Sequence, residues 1–281
     1  MNSNLDTKAI NTWCPGCGNF GLLAALKKAV DTLIAQGVKK ENILLVSGVG
    51  CHAKIIDYIN INTFYGLHGR SIAAAVGAKI ANPDLKIIVC TGDGASLNEG
   101  LSHLIHAAKM NIDITVLMHD NRVFALTTGQ FTATTPKGFK GKSTPFGSPE
   151  VNINPLELMM ASNTMHISRS YTGKIDHLSK MIVEAVNYKG FSFIEVLQPC
   201  IAWYNNSQMY NANVYEIPDE NLENKDIAQK KIREWDYISE SKIALGTFYK
   251  KSVQDFNEAM VDINPKNDIT KEIQKILAEK I

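Results

Sequence analysis

The residues that can do chemistry fall into two sets. The first is an oxygen set, Asp93 within Gly92-Asp93-Gly94 and, further along, Asn121. A carboxylate and an amide oxygen, completed by main-chain carbonyls and water, suit Mg²⁺, which takes few protein ligands and fills its shell from substrate phosphates. Glycines on both sides of Asp93 let a diphosphate approach the main chain, and a helix starting beyond them offers its N-terminal N–H groups. Gly-Asp-Gly by itself also fits a tight turn with an acidic helix cap. Asn121 behind a second apolar strand favours the cation–diphosphate reading. The second set is soft: Cys14 and Cys17 form a C-x-x-C pair, Cys51 follows a glycine turn, and Cys200 ends a strand-like run. Four thiolates suit a tetrahedral zinc or an iron–sulfur cluster, and their spacing does not choose between them. Cys90 lies inside the apolar run Ile87-Ile88-Val89-Cys90 and reads as a core thiol. A thiol–disulfide reading of Cys14-Pro15-Gly16-Cys17 needs a strand just ahead, and residues 8–12 are too short and polar to supply one.

The elements that must position these residues follow from apolar periodicity. Residues 87–90 have the length of a buried strand, 95–110 carry helical spacing, and 112–118 form a second buried strand. This βαβ unit places Asp93 and Asn121 side by side at the carboxyl edge of a parallel sheet, where open α/β sheets bind ligands. Residues 13–18 lead into an amphipathic helix through Leu22, Leu26, Val30 and Leu33 that stops near Gly37. A strand over 43–46 delivers Gly48-Val49-Gly50-Cys51-His52, and Gly66-Leu67-His68-Gly69-Arg70 precedes a small-residue helix over 71–81. Residues 127–149 show no apolar period; a stretch of that length inside a compact domain usually carries function. Its Lys137, Lys140 and Lys142 fit either an anionic ligand or a solvated lid. Helices over 155–162 and 175–188 alternate with strands over 165–168 and 191–197, the last ending in Gln198-Pro199-Cys200. The alternation predicts an α/β fold with a doubly wound parallel sheet. One domain is expected over 1–204. Beyond it, 205–281 is expected to be an extended arm, docking on the domain or on a partner subunit: 205–231 is polar, 234–249 carries aromatic and apolar residues without a domain's worth of core, and 268–281 fits a short amphipathic helix.

Composition narrows the function classes. Lys plus Arg is 29 and Asp plus Glu is 28 in 281 residues, so no charge excess points to nucleic acid or a membrane surface. No run approaches 18 apolar residues and the first residues carry no signal pattern, so a cytoplasmic protein without membrane contact is expected. Five cysteines in such a chain are not a disulfide framework.

Taken together, residues 13–18, 48–51, 67–70, 91–94, 106–121, 126–136 and 198–200 resemble the β subunit of 2-oxoacid:ferredoxin oxidoreductases, in order, over about two thirds of the chain. The resemblance implies the diphosphate-domain fold of thiamine-diphosphate enzymes, with thiamine diphosphate, Mg²⁺ and a 4Fe–4S cluster. It assigns the metal to Asp93, Asn121 and the main-chain carbonyl of Val123, and the cluster to Cys14, Cys17, Cys51 and Cys200. Cofactor contacts map onto Gly50, His52, His68, Gly92, Asp93, Gly94, Ala95, Asn121, Val123, Ala125, Leu126 and Thr127. The implied reaction is oxidative decarboxylation of a 2-oxoacid with coenzyme A to acyl-CoA and carbon dioxide, electrons leaving through the cluster to ferredoxin. His68 is a candidate contact to substrate or cofactor ring, against a plain turn histidine. Lys54 is a candidate for neutralising a carboxylate, against a plain surface lysine. The chain departs from the family pattern at His52, where Ser is common, at Phe124-Ala125 in place of Tyr-Gly, and at Thr128 in place of Lys. No candidate exists for the carboxylate on the cofactor's pyrimidine ring, so a partner, an α or α plus γ subunit, is expected to bring a Glu. The form of the first motif favours a heterodimer. Two other readings stand beside this one: a non-redox thiamine-diphosphate decarboxylase subunit with a four-cysteine zinc site, and a scaffold built on that site with no catalysis.

Overall fold

In this computed structural model, which describes residues 4–263 together with 274 and 277–279, strands and helices alternate along the chain. Helix α1 (Asn19–Ala35) is followed by β1 (Ile43–Ser47), β2 (Asn62–Tyr65), α2 (Ser71–Ala81), β3 (Lys86–Gly92), α3 (Leu101–Met110) and β4 (Thr115–Asp120). A small ribbon, β5 (Val123–Phe124) with β6 (Gln130–Phe131), precedes α4 (Pro155–Ala161), β7 (His166–Tyr171), α5 (Ile175–Asn187) and β8 (Ser192–Leu197). Then come α6 (Ser207–Asn213), β9 (Val214–Glu216), α7 (Lys225–Ile232), β10 (Ile243–Lys250) and α8 (Phe256–Ile263).

The main sheet runs β2-β1-β3-β4-β8-β7-β10-β9, parallel except where β10 meets β7. Both faces are covered, which is why β3, β4 and β8 are continuous apolar runs rather than alternating ones. Leu22, Leu26, Val30 and Leu33 of α1 pack with Leu178 and Ile182 of α5 on one face. Ile72, Leu104, Leu156 and Met159 of α2, α3 and α4 cover the other. Each such side chain contributes about 1.5–3 kcal/mol by leaving water. The doubly wound sheet is the one the alternation predicts.

The register explains the site. Ser47 pairs with Cys90, Gly92 with His119, and Asp120 with Leu197, so β1, β3, β4 and β8 end along one edge. The segments that leave that edge are the glycine turn with Cys51, the Asp93 turn, the Asn121 turn and Gln198-Pro199-Cys200.

Two expectations need correction. The helix predicted over 95–110 is not continuous: Ala95–Glu99 is a wide π-type turn and the α-helix starts only at Leu101. The break is at Gly100, where a Cβ would sit 2.6 Å from the carbonyl oxygen of Gly69. Backbone packed on backbone replaces the expected first turn, a feature often met at functional sites. Residues 205–250 are not an extended arm either. Strand β10 enters the sheet between β7 and β9, and Tyr210, Ile232, Trp235, Tyr237, Leu245 and Phe248 are buried. Tyr210, Ile232, Trp235 and Tyr237 lie on short elements among polar residues, and the one apolar run, 243–249, is too short to announce its place in the sheet. Most of the helix predicted over 268–281 lies outside the described residues; of that stretch, 274, 277 and 278 are described and are helical.

Candidate functional site

All twelve residues assigned to the cofactor line one cavity of about 60 Å³ at the sheet edge. Asp93 forms its floor and is buried. Its Oδ2 accepts from the hydroxyls of Thr132 at 2.5 Å and Thr134 at 2.8 Å. Burial nonetheless pushes the Asp93 carboxyl up to about 6, with the threonine and main-chain donors opposing the shift. Thr134 Oγ1 also lies 2.8 Å from Oδ1 of Asp120, which ends β4 behind it. One hydroxyl has one proton to give, so both contacts are hydrogen bonds only when one carboxyl is protonated. Asp120 keeps that proton, because burial and then the Asp93 charge raise it well above the carboxylate range. The chain Asp120 to Thr134 to Asp93 therefore directs donors onto Asp93 and favours its ionised form. Asn121 closes the turn by accepting from Val123 N at 3.1 Å.

His52 is buried against the glycines of this wall. A Cβ on Gly92 would meet its Nδ1 at 2.9 Å, so glycine there admits the ring as well as a ligand. Burial lowers His52 to about 3 and His119 well below its ordinary value, so this pair, 5.7 Å between centroids, is neutral. His119 Nδ1 meets Asn19 Oδ1 at 3.0 Å. His68 lines the same cavity from an exposed turn, its Nδ1 3.5 Å from Glu99 Oε2.

A second cavity, of about 210 Å³, adjoins the first and shares Cys51, Asn121, Ala125 and Leu126 with it. Cys14, Cys17, Cys51 and Cys200 all line it, and all are free thiols. The Cys14–Cys17 turn is closed by Cys17 N donating to Cys14 O at 3.0 Å, and Trp13 Nε1 donates to Cys51 O at 2.7 Å. Burial pushes Cys17 up, and Cys51 up to about 11 against the opposing charge of Lys54. These are thiols that a metal must deprotonate as it binds. Among the described residues no three His, Cys, Asp or Glu side chains converge on a single-ion site. Cys90 is buried in the core, away from this set. Lys54 lines the cysteine cavity rather than the oxygen-lined one, with Nζ donating to Thr12 O at 3.3 Å. Sequence reasoning missed the threonines and Asp120. A hydroxyl run in a loop and an acid beside Asn121 were the only signals available.

Residues 48–196 match the family described as thiamine pyrophosphate enzyme, C-terminal TPP binding domain. The chain is 38% identical over 279 residues to 2-oxoacid:ferredoxin oxidoreductase 1, subunit beta, of Aeropyrum pernix, covering 94% of this chain and 85% of that one. It is 37% identical over 272 residues to the corresponding subunit of a Sulfolobus species, covering 90% and 86%. Among solved structures, the 2-oxoglutarate:ferredoxin oxidoreductase of Magnetococcus marinus with 2-oxoglutarate, coenzyme A and succinyl-CoA bound superposes with a TM-score of 0.88. It is 27% identical, over 96% of this chain and 94% of that one.

Proposed function

The chain belongs to the β subunits of 2-oxoacid:ferredoxin oxidoreductases, and on that premise we propose that it holds thiamine diphosphate with Mg²⁺ in the oxygen-lined cavity and a 4Fe–4S cluster in the cysteine-lined one. The observation that carries this is the adjacency of the two cavities, which share a wall of four residues. The residues present fit both groups. Asp93, Asn121 and the Val123 carbonyl offer hard oxygens at a turn whose glycines admit a diphosphate. Four thiols around a space of about 210 Å³ suit a cluster better than one zinc ion, whose thiolates stand about 2.3 Å from a common centre. The curated relatives are oxidoreductases, which leaves a non-redox decarboxylase and a non-catalytic scaffold without support.

When bound, thiamine diphosphate supplies the nucleophilic carbon and electron sink for decarboxylating a 2-oxoacid, and the cluster takes the electrons singly on their way to ferredoxin. The chain's own part is positioning and electrostatics. Asp93, kept ionised by Thr132 and Thr134, holds Mg²⁺ together with Asn121 and Val123. Gly50, Gly92 and Gly94 bring main chain to the diphosphate, and Ala95, Ala125, Leu126 and Thr127 wall the cavity. The neutral His52, set against the glycine wall, gives or accepts a hydrogen bond without adding charge. His68, at the open side, meets the substrate or the cofactor ring. Coenzyme A takes the acyl group.

Among the described residues Asp93 is the single carboxylate lining the cofactor cavity, and its role as a metal ligand leaves the pyrimidine ring without one. An α subunit supplies that Glu. Leu67 (76% exposed) and Leu126 (48%) give the surroundings of the cavity mouth an apolar rim for it to cover. Among the described residues no helix is long and apolar enough to cross a membrane, and the reading places the enzyme in the cytoplasm.

The test is the metal, sulfide and cofactor content of the complex purified without oxygen. About four irons and four sulfides on this chain, with thiamine diphosphate retained in a Mg²⁺-dependent way, support the reading. One zinc without sulfide removes the electron path. Sustained turnover by this chain alone removes the partner's Glu.

A further inference from the structure

Arg122 stands between two of the metal ligands proposed above, and its side chain has so far had no part. Its φ is 62°, in the left-handed region that L-residues enter at a steric cost. Asn, Asp and Gly adopt that conformation through local effects; an arginine has no local reason to. Asn121 and Val123 line the oxygen cavity, but the Arg122 side chain turns inward and is 1% exposed. There its Nη1 donates to the carbonyl of Tyr237 at 2.6 Å. The guanidinium carbon lies 4.7 Å from the centroid of the Trp235 ring and 5.4 Å from that of Tyr237. The two rings stack on each other at 4.3 Å. Tyr237 is fixed in turn: its hydroxyl donates to Glu195 Oε2 at 2.8 Å and accepts from Arg169 Nη2 at 2.6 Å. The main chain is held as well, since the Arg122 carbonyl accepts from Thr135 Oγ1 at 2.5 Å.

The strained residue is thus held from both ends, by a loop hydroxyl on its backbone and by an aromatic cage on its side chain. The cage comes from 235–237, within the segment expected from the sequence to be part of an extended arm. We propose that Arg122 is a positioning residue for the metal–diphosphate site: anchored on Trp235 and Tyr237, it keeps 121–123 in the conformation that presents Asn121 and Val123 to the cation. This rests on the reading of the oxygen cavity given above. Burying 205–250 against the sheet then becomes a condition for cofactor affinity, although none of those residues lines the cavity.

The experiment is thiamine diphosphate binding to the cofactor-stripped complex, by equilibrium dialysis at graded Mg²⁺, with iron content and cluster absorbance read on the same samples. Arg122→Met keeps length and apolar bulk but removes the donors and the cation. It is expected to raise the Mg²⁺ concentration for half-saturation by about tenfold or more, the range for losing a group that orients a metal ligand. Trp235→Phe, further from the cation, is expected to shift it the same way by a smaller factor, and Arg122→Lys to recover part of the Arg122→Met loss. The cluster spectrum stays unchanged in all three, and at saturating Mg²⁺ the KM for the 2-oxoacid stays at the parent value. A merely structural role would lower the melting temperature and leave the Mg²⁺ dependence alone. Arg122→Met binding with the parent's Mg²⁺ dependence overturns the proposal. Where Arg122→Met fails to assemble, Trp235→Phe with parental Mg²⁺ dependence overturns it equally. Asp93→Ala is the control for the underlying reading. If the parent itself binds no thiamine diphosphate with Mg²⁺, the reading of the cavity falls and takes this proposal with it. If the parent binds, Asp93→Ala does not, and Arg122→Met matches the parent, only the role of Arg122 falls.

Discussion

The oxygen-lined cavity and the cysteine-lined cavity share a wall, yet they are built in opposite ways. Asp93 is held before any ligand arrives, by two hydroxyls on one oxygen and a protonated Asp120 behind them. The cysteines are held by turns: the hydrogen bonds around Cys14, Cys17 and Cys200 run mostly through main chain, and Gln198 Nε2 reaches Cys17 Sγ only at 3.8 Å. The first site is preorganised at the expense of burying a carboxylate. The second leaves the last fixing of the thiols to the group they hold, as many metal sites do. The difference predicts where each site is fragile.

The largest effect expected is a clean separation of the two. Asp93→Ala should weaken Mg²⁺-dependent thiamine diphosphate binding by about a hundredfold or more while the iron and sulfide content stays intact. Cys17→Ala should do the reverse, abolishing the cluster absorbance and ferredoxin reduction while thiamine diphosphate still binds. Loss of both groups in either variant would mean that the shared wall makes one site of two.

Next comes the energetic cost of preorganisation. Burial raises Asp93 from 3.8 to about 6, so between those pH values the native state binds the proton that the unfolded chain has released. The unfolded state then binds fewer protons, and the cofactor-free protein loses stability as pH rises through about 4 to 6. Above that window Asp93→Asn should be more stable than the parent by about 1–3 kcal/mol, at one pKa unit per 1.36 kcal/mol, while losing the cofactor. Melting of the cofactor-free complexes at pH 5 and pH 7.5 checks this. A parent as stable as the variant at pH 7.5 would show that Asp93 carries no such penalty.

A smaller effect belongs to the hydroxyl bridge. Thr134→Val keeps the shape but leaves two buried carboxyls without their shared partner, and should destabilise by about 1–3 kcal/mol. Thr134→Ser should recover most of it. Equal melting temperatures for Thr134→Val and the parent would show that Asp93 does not depend on its neighbours.

How much of this was legible follows the same division. The strand ends were readable because β3, β4 and β8 are buried on both faces, so their apolar runs stand out and name the residues that follow them. The ligand residues could be named because glycines and cysteines mark turns. Thr132, Thr134 and Asp120 were not readable as partners: which hydroxyl of a loop meets which carboxyl is settled by tertiary packing, not by spacing. The break at Gly100 was hidden for the same reason, since its cause is the backbone of Gly69. Residues 205–250 were misread because Trp235 and Tyr237 bury themselves against charged groups, Arg122 and Arg169, which a search for apolar faces does not register.

Lys54 gives the smallest and sharpest test, because it decides to which cavity a residue belongs. As a partner for the substrate carboxylate it would act in the oxygen-lined cavity, and Lys54→Met would then raise the 2-oxoacid KM while leaving the cluster untouched. Its position argues otherwise: it lines the cysteine cavity with Cys51, and its charge opposes the burial that raises that thiol. A fixed positive charge beside a cluster favours the reduced, more negative state. Lys54→Met should therefore lower the cluster's midpoint potential and slow electron entry into the cluster, not its exit to ferredoxin, by less than about tenfold, with the 2-oxoacid KM unchanged. A redox titration followed by the cluster's absorbance, set beside the KM, separates the two. A raised KM at constant potential would place Lys54 on the substrate side of the shared wall.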